Sequence, residues 1–418
     1  MMNKILTNKE QKDFIYSILE PNLKFKKEDG SEDKHAISRF QKENNLEVTS
    51  KLDEATFKKL MDQVNGFEDY IIKKDDKLFD LMKRKKSLCH KTLTANPKLN
   101  PFLLNEGQSI AIPYNKNVVP THLNYTYDIL EMNLKSLSKR YPFIKVDSIG
   151  KSVDNRALYR VRLGKGKKRV SFNGSHHGNE WITSLFLMVW LENFLNVYSY
   201  KGYIKGYSTA KIWNRVTLDI IPMVNPDGVE LVTNGLKNII RNRNRLYRWN
   251  NYQTNFSNWK ANINGVDLNR NYDANFNGYK KVEKEMNIFG PSPALYSGDF
   301  PGCEPESKAM IETTLENKYD LMMAYHTQGE EIFYTPITPS NNDSNYQMAL
   351  ELSEISGYQL AVPDVSQAYA GYKDWFVTQF KKPGFTIEAG KGTNPIPIQQ
   401  LPIIYEQNEA MLLKALYM

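Results

Sequence analysis

The sequence predicts an α/β protein. A large domain is built on a mixed, mostly parallel sheet covered by helices on both faces, and a small helical domain and a small α+β domain precede it. Three observations predict this. After about residue 117 short apolar runs alternate with helical stretches; residues 1–64 carry only helical periodicity; residues 67–116 run strand, helix, turn, strand. A chain of 418 residues is long for one domain, at about 150 residues each. A hydrophobic content of 41%, with 12% aromatic, is enough to build cores and excludes wholesale disorder.

In the first segment, Phe14, Ile15 and Ile18 share one helical face, Ala36, Ile37, Phe40 and Gln41 begin a second helix, and Ala55, Phe57 and Leu60 lie in a third. In the second, Glu68 to Lys73 alternate as a strand, and Leu78, Leu81 and Met82 make an apolar helix face. Asn96-Pro97 and Asn100-Pro101 mark turns, and Ile110 to Pro113 close with a strand. In the third, residues 117–418, strands are expected at Val170–Asn173, Val216–Met223, Leu321–Tyr325 and Gly384–Ile387. Helices are expected at Ile182–Val197, Tyr346–Ile355, Asp374–Phe380 and Tyr405–Leu416, and Asn225-Pro226-Asp227-Gly228 is a strong turn.

The charge balance is +8, from 55 Lys and Arg against 47 Asp and Glu, thinly spread. It fits work near an anionic polymer, and equally a Lys- and Asn-rich composition without a binding message. The two cysteines, Cys89 and Cys303, fall in different segments, so no disulfide framework and no cysteine-based metal site is expected. No apolar run follows the N-terminal lysine as in a secretory signal. The most apolar stretch, Leu185 to Leu195, is interrupted by Glu192 and is too short to span a membrane. The expectation is a soluble protein made in the cytoplasm.

The six histidines include those of Ser175-His176-His177-Gly178-Asn179-Glu180-Trp181, placed after a strand and before a helix. A His and a Glu three apart at such a junction can face one metal. Zinc takes neutral imidazole and carboxylate and keeps a position open for chemistry. A third ligand must come from elsewhere. Tyr325-His326-Thr327-Gln328 ends an expected strand, where ligands gather in open α/β sheets. Alone, His-x-x-Glu is a weak motif.

Gly265-Val266-Asp267-Leu268-Asn269-Arg270-Asn271-Tyr272 lies between these ligands, and Phe385-Thr386-Ile387-Glu388-Ala389-Gly390 follows them. In this order, the four blocks resemble the zinc carboxypeptidase family across residues 117–418. The resemblance implies that His177, Glu180 and His326 bind one Zn²⁺ per chain, the His₂Glu ligand set typical of carboxypeptidase A. It implies that Glu388 is the general base for the hydrolytic water and then the proton donor to the leaving amine. It implies that Asn269 and Arg270 grip a carboxylate on the leaving side, which the arginine fork matches in bidentate fashion. Arg248, in Asn244-Arg245-Leu246-Tyr247-Arg248-Trp249, takes the place of the oxyanion cation, with Arg245 as the alternative. The same run, with Arg241 and Arg243, also reads as a solvated basic loop.

Three further blocks narrow the resemblance: Asn258-Trp259-Lys260-Ala261-Asn262, the stretch Tyr325 to Glu330, and Tyr369-Ala370-Gly371-Tyr372-Lys373-Asp374-Trp375. Together they are similar to the branch of the family that cleaves γ-D-glutamyl-meso-diaminopimelate bonds in peptidoglycan stem peptides. In the family the floor of the leaving-residue pocket lies 15 positions before the catalytic Glu, and 388 − 15 = 373 is Lys373. A cation there suits a side chain ending in a carboxylate; the other reading is that Lys373 pairs with a neighbouring acid. Tyr369 takes the place of the family's mobile tyrosine, with Tyr372 second.

The N-terminal segments carry their own resemblances. Phe40-Gln41, Leu46, Val48-Thr49, Leu52-Asp53, Thr56 and Leu60 resemble a three-helix peptidoglycan-binding domain over 1–64. Ser50 and Asn45 stand there where glycines are usual. Residues 67–116 resemble a LysM module, which binds N-acetylglucosamine in glycans, with Asp75-Asp76-Lys77 in place of Gly-Asp-Thr. The expected partners are therefore peptidoglycan glycan and stem peptides, and not nucleic acid. Action inside a sporulating mother cell, release by lysis to the wall, peptide recycling in the cytosol and an unconventional exit are all open as settings. A general metallocarboxypeptidase on L-peptides and a non-catalytic wall-binding protein are the alternatives.

Overall fold

The computed structural model describes residues 8–19, 24–27, 29, 31–338, 343–361 and 368–418, so the first seven residues of the N-terminal stretch lie outside the described residues. The chain divides into two compact units, Met1–Leu123 with Asp128–Phe143, and Asn124–Tyr127 with Ile144–Met418.

The first unit begins with helices α1 (Asn8–Leu19), α2 (Lys34–Glu43) and α3 (Glu54–Asn65). Asp33 and Asp53 cap the second and third by accepting from backbone amides of their first turns. Ile15, Ile18, Ala36, Ile37 and Phe40 are buried as expected. In α3 the buried face is Thr56, Leu60 and Val64, whereas Ala55 is exposed and Phe57 half-buried. Gln41 explains the shift: fully buried, it donates to Thr56 Oγ1 at 2.8 Å and Thr49 Oγ1 at 2.9 Å, so the core is built round an amide. Asn45 and Ser50 both adopt φ 55°, the left-handed region that glycine favours.

Next come β1 (Phe67–Ile71), α4 (Leu78–Lys85), α5 (Cys89–Ala95) and β2 (Ser109–Pro113). The strands pair antiparallel with Phe67 opposite Pro113, and Leu78, Leu81, Met82, Ile110 and Ile112 form the core beneath them. The sequence pattern does not reveal α5, because its seven residues, with Thr92 and Thr94 inside, carry little helical period. From Asp128 on, α6 (Tyr127–Arg140) belongs to this unit.

The second unit is an eight-stranded sheet. Its strands are β3 (Lys145–Lys151), β4 (Ala157–Gly164), β5 (Lys168–Gly174), β8 (Val216–Ile221), β9 (Leu321–His326), β10 (Glu331–Tyr334), β11 (Gln359–Ala361) and β12 (Gly384–Glu388); a short hairpin, β6 (Tyr203–Ile204) with β7 (Tyr207–Ser208), stands apart. The spatial order is β11-β10-β12-β9-β5-β8-β4-β3. The four central strands β12, β9, β5 and β8 are parallel, and antiparallel pairs join β10 to β12 and build the β8-β4-β3 flank. All four expected strands are these central ones. Parallel strands buried on both faces read as continuous apolar runs, which is why they alone are visible in the sequence. The edge strands are not: β3 is charged and half-exposed.

The helices are α7 (Ile182–Ser199), α8 (Thr209–Arg215), α9 (Pro226–Asn234), α10 (Arg243–Trp249), α11 (Phe276–Glu285), α12 (Pro305–Asn317), α13 (Ser344–Ser356), α14 (Tyr372–Phe380) and α15 (Leu401–Tyr417). Apolar nearly all round, α7 is buried nearly all round. Beneath the site, Ile221, Met322 and Ala324 pack with Tyr272, Tyr372, Trp375 and Phe376. Among the described residues no helix is long and apolar enough to cross a membrane.

Candidate metal centre

Three adjacent parallel strands, β12, β9 and β5, end on one side of the sheet. β9 ends at His326 and β12 at Glu388, and the two residues are direct partners in the ladder. β5 runs out at Gly174 into the loop holding His177 and Glu180. The open ends of a parallel sheet are where side chains from different strands converge.

That loop is fixed from below and from the side. Ser175 adopts φ 51°. Its buried hydroxyl lies 2.7 Å from Ser184 Oγ and donates to Glu180 O at 3.1 Å, which ties the turn to α7. The Asn225-Pro226-Asp227-Gly228 run, expected as a turn, instead caps and opens α9, and Gly178 presses on it: a Cβ at Gly178 would stand 2.6 Å from the Gly228 backbone, so only glycine allows the approach. Asn225, fully buried, accepts from Gly228 N at 2.9 Å and donates toward His176 O (3.2 Å), Lys260 O (3.2 Å) and Ala261 O (3.1 Å).

The donor atoms of His177, Glu180 and His326 lie within 4.8 Å of one another, all buried. His177 Nδ1 is 2.9 Å from Glu180 Oε1, His326 Nδ1 is 2.9 Å from Glu180 Oε2, and the two Nδ1 atoms are 3.3 Å apart. Tetrahedral donors about 2.0–2.2 Å from zinc stand roughly 3.3–3.6 Å from one another, so the set fits a zinc ion after a small outward adjustment. His177 Nε2 faces Asp267 Oδ1 at 3.1 Å, which leaves Nδ1 for the metal and fixes the tautomer. Burial acts to raise the Asp267 pKa, but His177, with Arg270, holds its carboxyl well below the usual range.

A cavity of 340 Å³ opens over the donors. His177, Glu180, Asn269, Arg270, Lys373 and Glu388 of the sequence-derived set all line it. Glu388 is pushed up to about 8, first by burial and then by the neighbouring charge of Glu180. Asn269 sits in a short helical turn and accepts from Tyr372 N at 3.0 Å. The Arg270 guanidinium lies 5.2 Å over the Tyr279 ring and donates to Asn269 O at 3.2 Å, so its plane is fixed by α11. Lys373 lines the cavity and pairs with the neighbouring acid Asp374 at 2.6 Å.

Three expectations need correction. Arg248 and Arg245 are exposed on α10 and do not line the cavity. That helix is anchored through Leu246, which packs with Phe256, Trp259 and Ile263. Lys260, by contrast, lines the cavity beside the donors, its Nζ 3.7 Å from Glu180 Oε1. Burial acts to lower the Lys260 pKa, but Glu180, Asp267 and Glu388 outweigh it and hold the ammonium above its ordinary value. Tyr369 does not line the cavity; it packs against Phe276, Tyr279 and Ala370. Tyr372 is core: fully buried, its hydroxyl is 2.8 Å from Thr314 Oγ1 and its ring 5.4 Å from that of His176.

Sequence reasoning passes over Lys260, Asp267 and Asn394 as site residues. Asn394 donates to Thr327 O at 2.8 Å and reaches Glu180 Oε1 at 3.4 Å. Lys260 and Asp267 stand inside two of the family-like blocks, and the need of a ligating histidine for a carboxylate partner is a signal for Asp267. No sequence signal marks Asn394, which lies far along the chain in a loop.

A His-Glu-His donor set at the open end of an α/β sheet, with a carboxylate beside it, defines a mononuclear metallohydrolase. The chain belongs to the zinc carboxypeptidase family, whose model matches residues 130–410, and this makes zinc the metal for the donor group. It is 38% identical over 297 residues to gamma-D-glutamyl-L-diamino acid endopeptidase 1 of Lysinibacillus sphaericus, covering 71% of this chain and 73% of that protein. It is 37% identical over 298 residues to uncharacterized protein YqgT of Bacillus subtilis (strain 168), covering 70% and 77%. The solved structure of bovine thrombin-activatable fibrinolysis inhibitor with tick carboxypeptidase inhibitor shares the fold, with TM-score 0.53 and 19% identity, covering 71% of this chain and 97% of that one.

Proposed function

We propose that the protein is a zinc peptidase that hydrolyses the γ-D-glutamyl-diaminopimelate bond of peptidoglycan stem peptides. The observation that carries the peptidase reading is the convergence of His177, Glu180 and His326 beside Glu388, its ladder partner on β12. The substrate reading draws support from the relative named gamma-D-glutamyl-L-diamino acid endopeptidase 1.

Zinc held by His177, Glu180 and His326 would supply Lewis acidity at the scissile carbonyl and acidify water near neutral pH. Glu388 takes a proton from the attacking water and passes it to the leaving amine. Burial first, and then the charge of Glu180, keep the proton on Glu388, so a cation held at the donors would favour its carboxylate form. Lys260 faces the carbonyl oxygen and stabilises its developing charge. Asn269 and Arg270 hold a carboxylate on the leaving residue. Asp267 keeps His177 oriented and basic.

The N-terminal unit is assigned to wall binding: α1–α3 as a peptidoglycan-binding domain and the β1-α4-α5-β2 segment as a LysM module. The Gln41-centred core and the left-handed Asn45 and Ser50 support the first, and the strand-helix-helix-strand order supports the second. Co-sedimentation of the full chain with insoluble peptidoglycan, competed by chitooligosaccharide, checks the assignment.

Mass spectrometry of purified muropeptides after incubation, with and without a chelator, tests the activity. Release of diaminopimelate-containing peptides, stopped by chelator and restored by zinc, is the expected result. Cleavage of a hippuryl dipeptide alone would replace the substrate with ordinary L-peptides.

A further inference from the structure

One face of the second unit concentrates positive charge. Lys165 and Lys167 stand exposed on the β4-β5 turn, Lys201 and Lys205 around the β6-β7 hairpin, and Lys211 and Arg215 on α8. The three segments join. Lys165 N donates to Trp213 O at 2.8 Å and Gly166 N to Val216 O at 3.0 Å, which lays the turn on the end of α8. Thr209 N donates to Gly202 O at 3.1 Å, which lays the hairpin on its start. No Asp or Glu occurs in residues 164–169 or 193–218. Among the described residues none of the six cations forms an ion pair with an aspartate or glutamate, and Arg215 donates to Met418 O at 2.5 Å. Burial, and then the charge of Arg215, lower the pKa of half-buried Lys168 at the foot of the face, with Asp320 acting against them.

Tyrosines are set among these cations. Tyr200 and Tyr203 are 55% and 69% exposed. At the hairpin tip, Lys205 and Gly206 take φ 47° and 83°, as a tight two-residue turn requires. The rings of Trp190, Phe194, Tyr198 and Trp213 follow one another at 5.2, 6.4 and 4.1 Å, so the face rests on a packed aromatic column. Strands β5 and β8 begin here, at Lys168 and Val216, whereas the metal donors lie past the other end of β5. A surface bound at this face leaves the cavity open to substrate.

We propose that this face docks the protein peripherally on a membrane surface rich in anionic lipid. Lysines from three segments make a charged face rather than a track along one line, which suits an extended surface of phosphates. Lysine stems and tyrosine rings both carry an apolar body and a polar end, the form that settles at headgroup level. The inference stands apart from the peptidase reading and does not depend on which peptide is cut.

Flotation of the full chain with vesicles tests it, using phosphatidylcholine alone and phosphatidylcholine mixed with phosphatidylglycerol. Binding to the mixed vesicles is expected to exceed that to the neutral ones by about tenfold or more at low salt, and to fall as salt is raised. The triple variant Lys201→Gln, Lys205→Gln and Lys211→Gln is expected to bring the two vesicle types together. Tyr203→Ser is expected to weaken binding by roughly threefold. These side chains are exposed, and an unchanged melting temperature shows that the variants are folded. Arg241→Gln, Arg243→Gln and Arg245→Gln, which remove as much exposed charge beside and on α10, are expected to leave binding at the wild-type level. Equal binding of the wild type to both vesicle types, full binding by the lysine variant, or an equal loss in the arginine variant overturns the proposal. Capture by insoluble peptidoglycan or a soluble polyanion through the same lysines, with no vesicle bound, overturns it in favour of a polymer.

Discussion

The metal-facing and substrate-facing halves of the cavity are built differently. His326 and Glu388 end adjacent strands, and His177 and Glu180 lie in a loop pinned by Ser175, Gly178 and Asn225. Asn269, Arg270 and Lys260 instead hang from a short turn and long connections, and Lys373 from the start of α14. Strand ends hold atoms at ladder spacing whatever the loops do. The substrate side depends on how each loop is braced, which leaves room to change specificity without moving the metal.

The sharpest test of the metal-facing half is removal of a ligand. His326→Ala is expected to take bound zinc from about one per chain to near none, with activity lost in parallel, measured by elemental analysis and peptide cleavage. Glu388→Gln separates chemistry from metal: kcat falls by about 10²–10⁴ while zinc content stays, and full retained activity would refute the general-base role. On the substrate-facing side, Lys260→Met is expected to lower kcat by roughly 10²–10³, with Arg248→Met within about twofold of wild type. The reverse outcome would restore the arginine of α10 to the oxyanion. Asp267→Asn, between the halves, is expected to weaken zinc affinity by about 10–100-fold in chelator competition.

The smallest effect concerns the brace of the Lys260 loop. Asn262 donates to Glu304 Oε2 at 2.6 Å and to Glu306 Oε2 at 3.1 Å. Burial, with the charges of Asp227 and Glu304, pushes Glu306 up to about 8. A carboxyl raised on folding binds more protons in the native state. Its stabilising contribution is complete below the unfolded pKa near 4.5 and is lost as pH rises through about 8. Glu306→Gln should therefore gain in melting temperature relative to wild type as pH is raised across that window. A difference that does not change with pH would remove Glu306 from this role.

Legibility followed the same division. The four central strands, α7 and the donors at the strand ends were readable because burial on both faces leaves continuous apolar runs, and because ligand chemistry demands particular residue types. Edge strands such as β3 and β11 leave weak patterns, being short or half-exposed. Arg248 lies exposed and outside the cavity lining, because spacing along a long connection does not fix where a side chain ends. Lys260, only nine positions before Asn269, reaches the cavity instead.

By itself, the sequence determined the fold class, the donor types and the carboxylate that serves them, since each is a local matter of residue chemistry and apolar period. Tertiary structure alone decided which cation faces the donors, that Asp267 holds His177, and that Tyr372 is core. It also decided that Lys373 pairs with Asp374. Those are outcomes of packing between segments distant in the chain, where hydrogen-bond geometry and desolvation choose among residues that sequence spacing leaves equivalent.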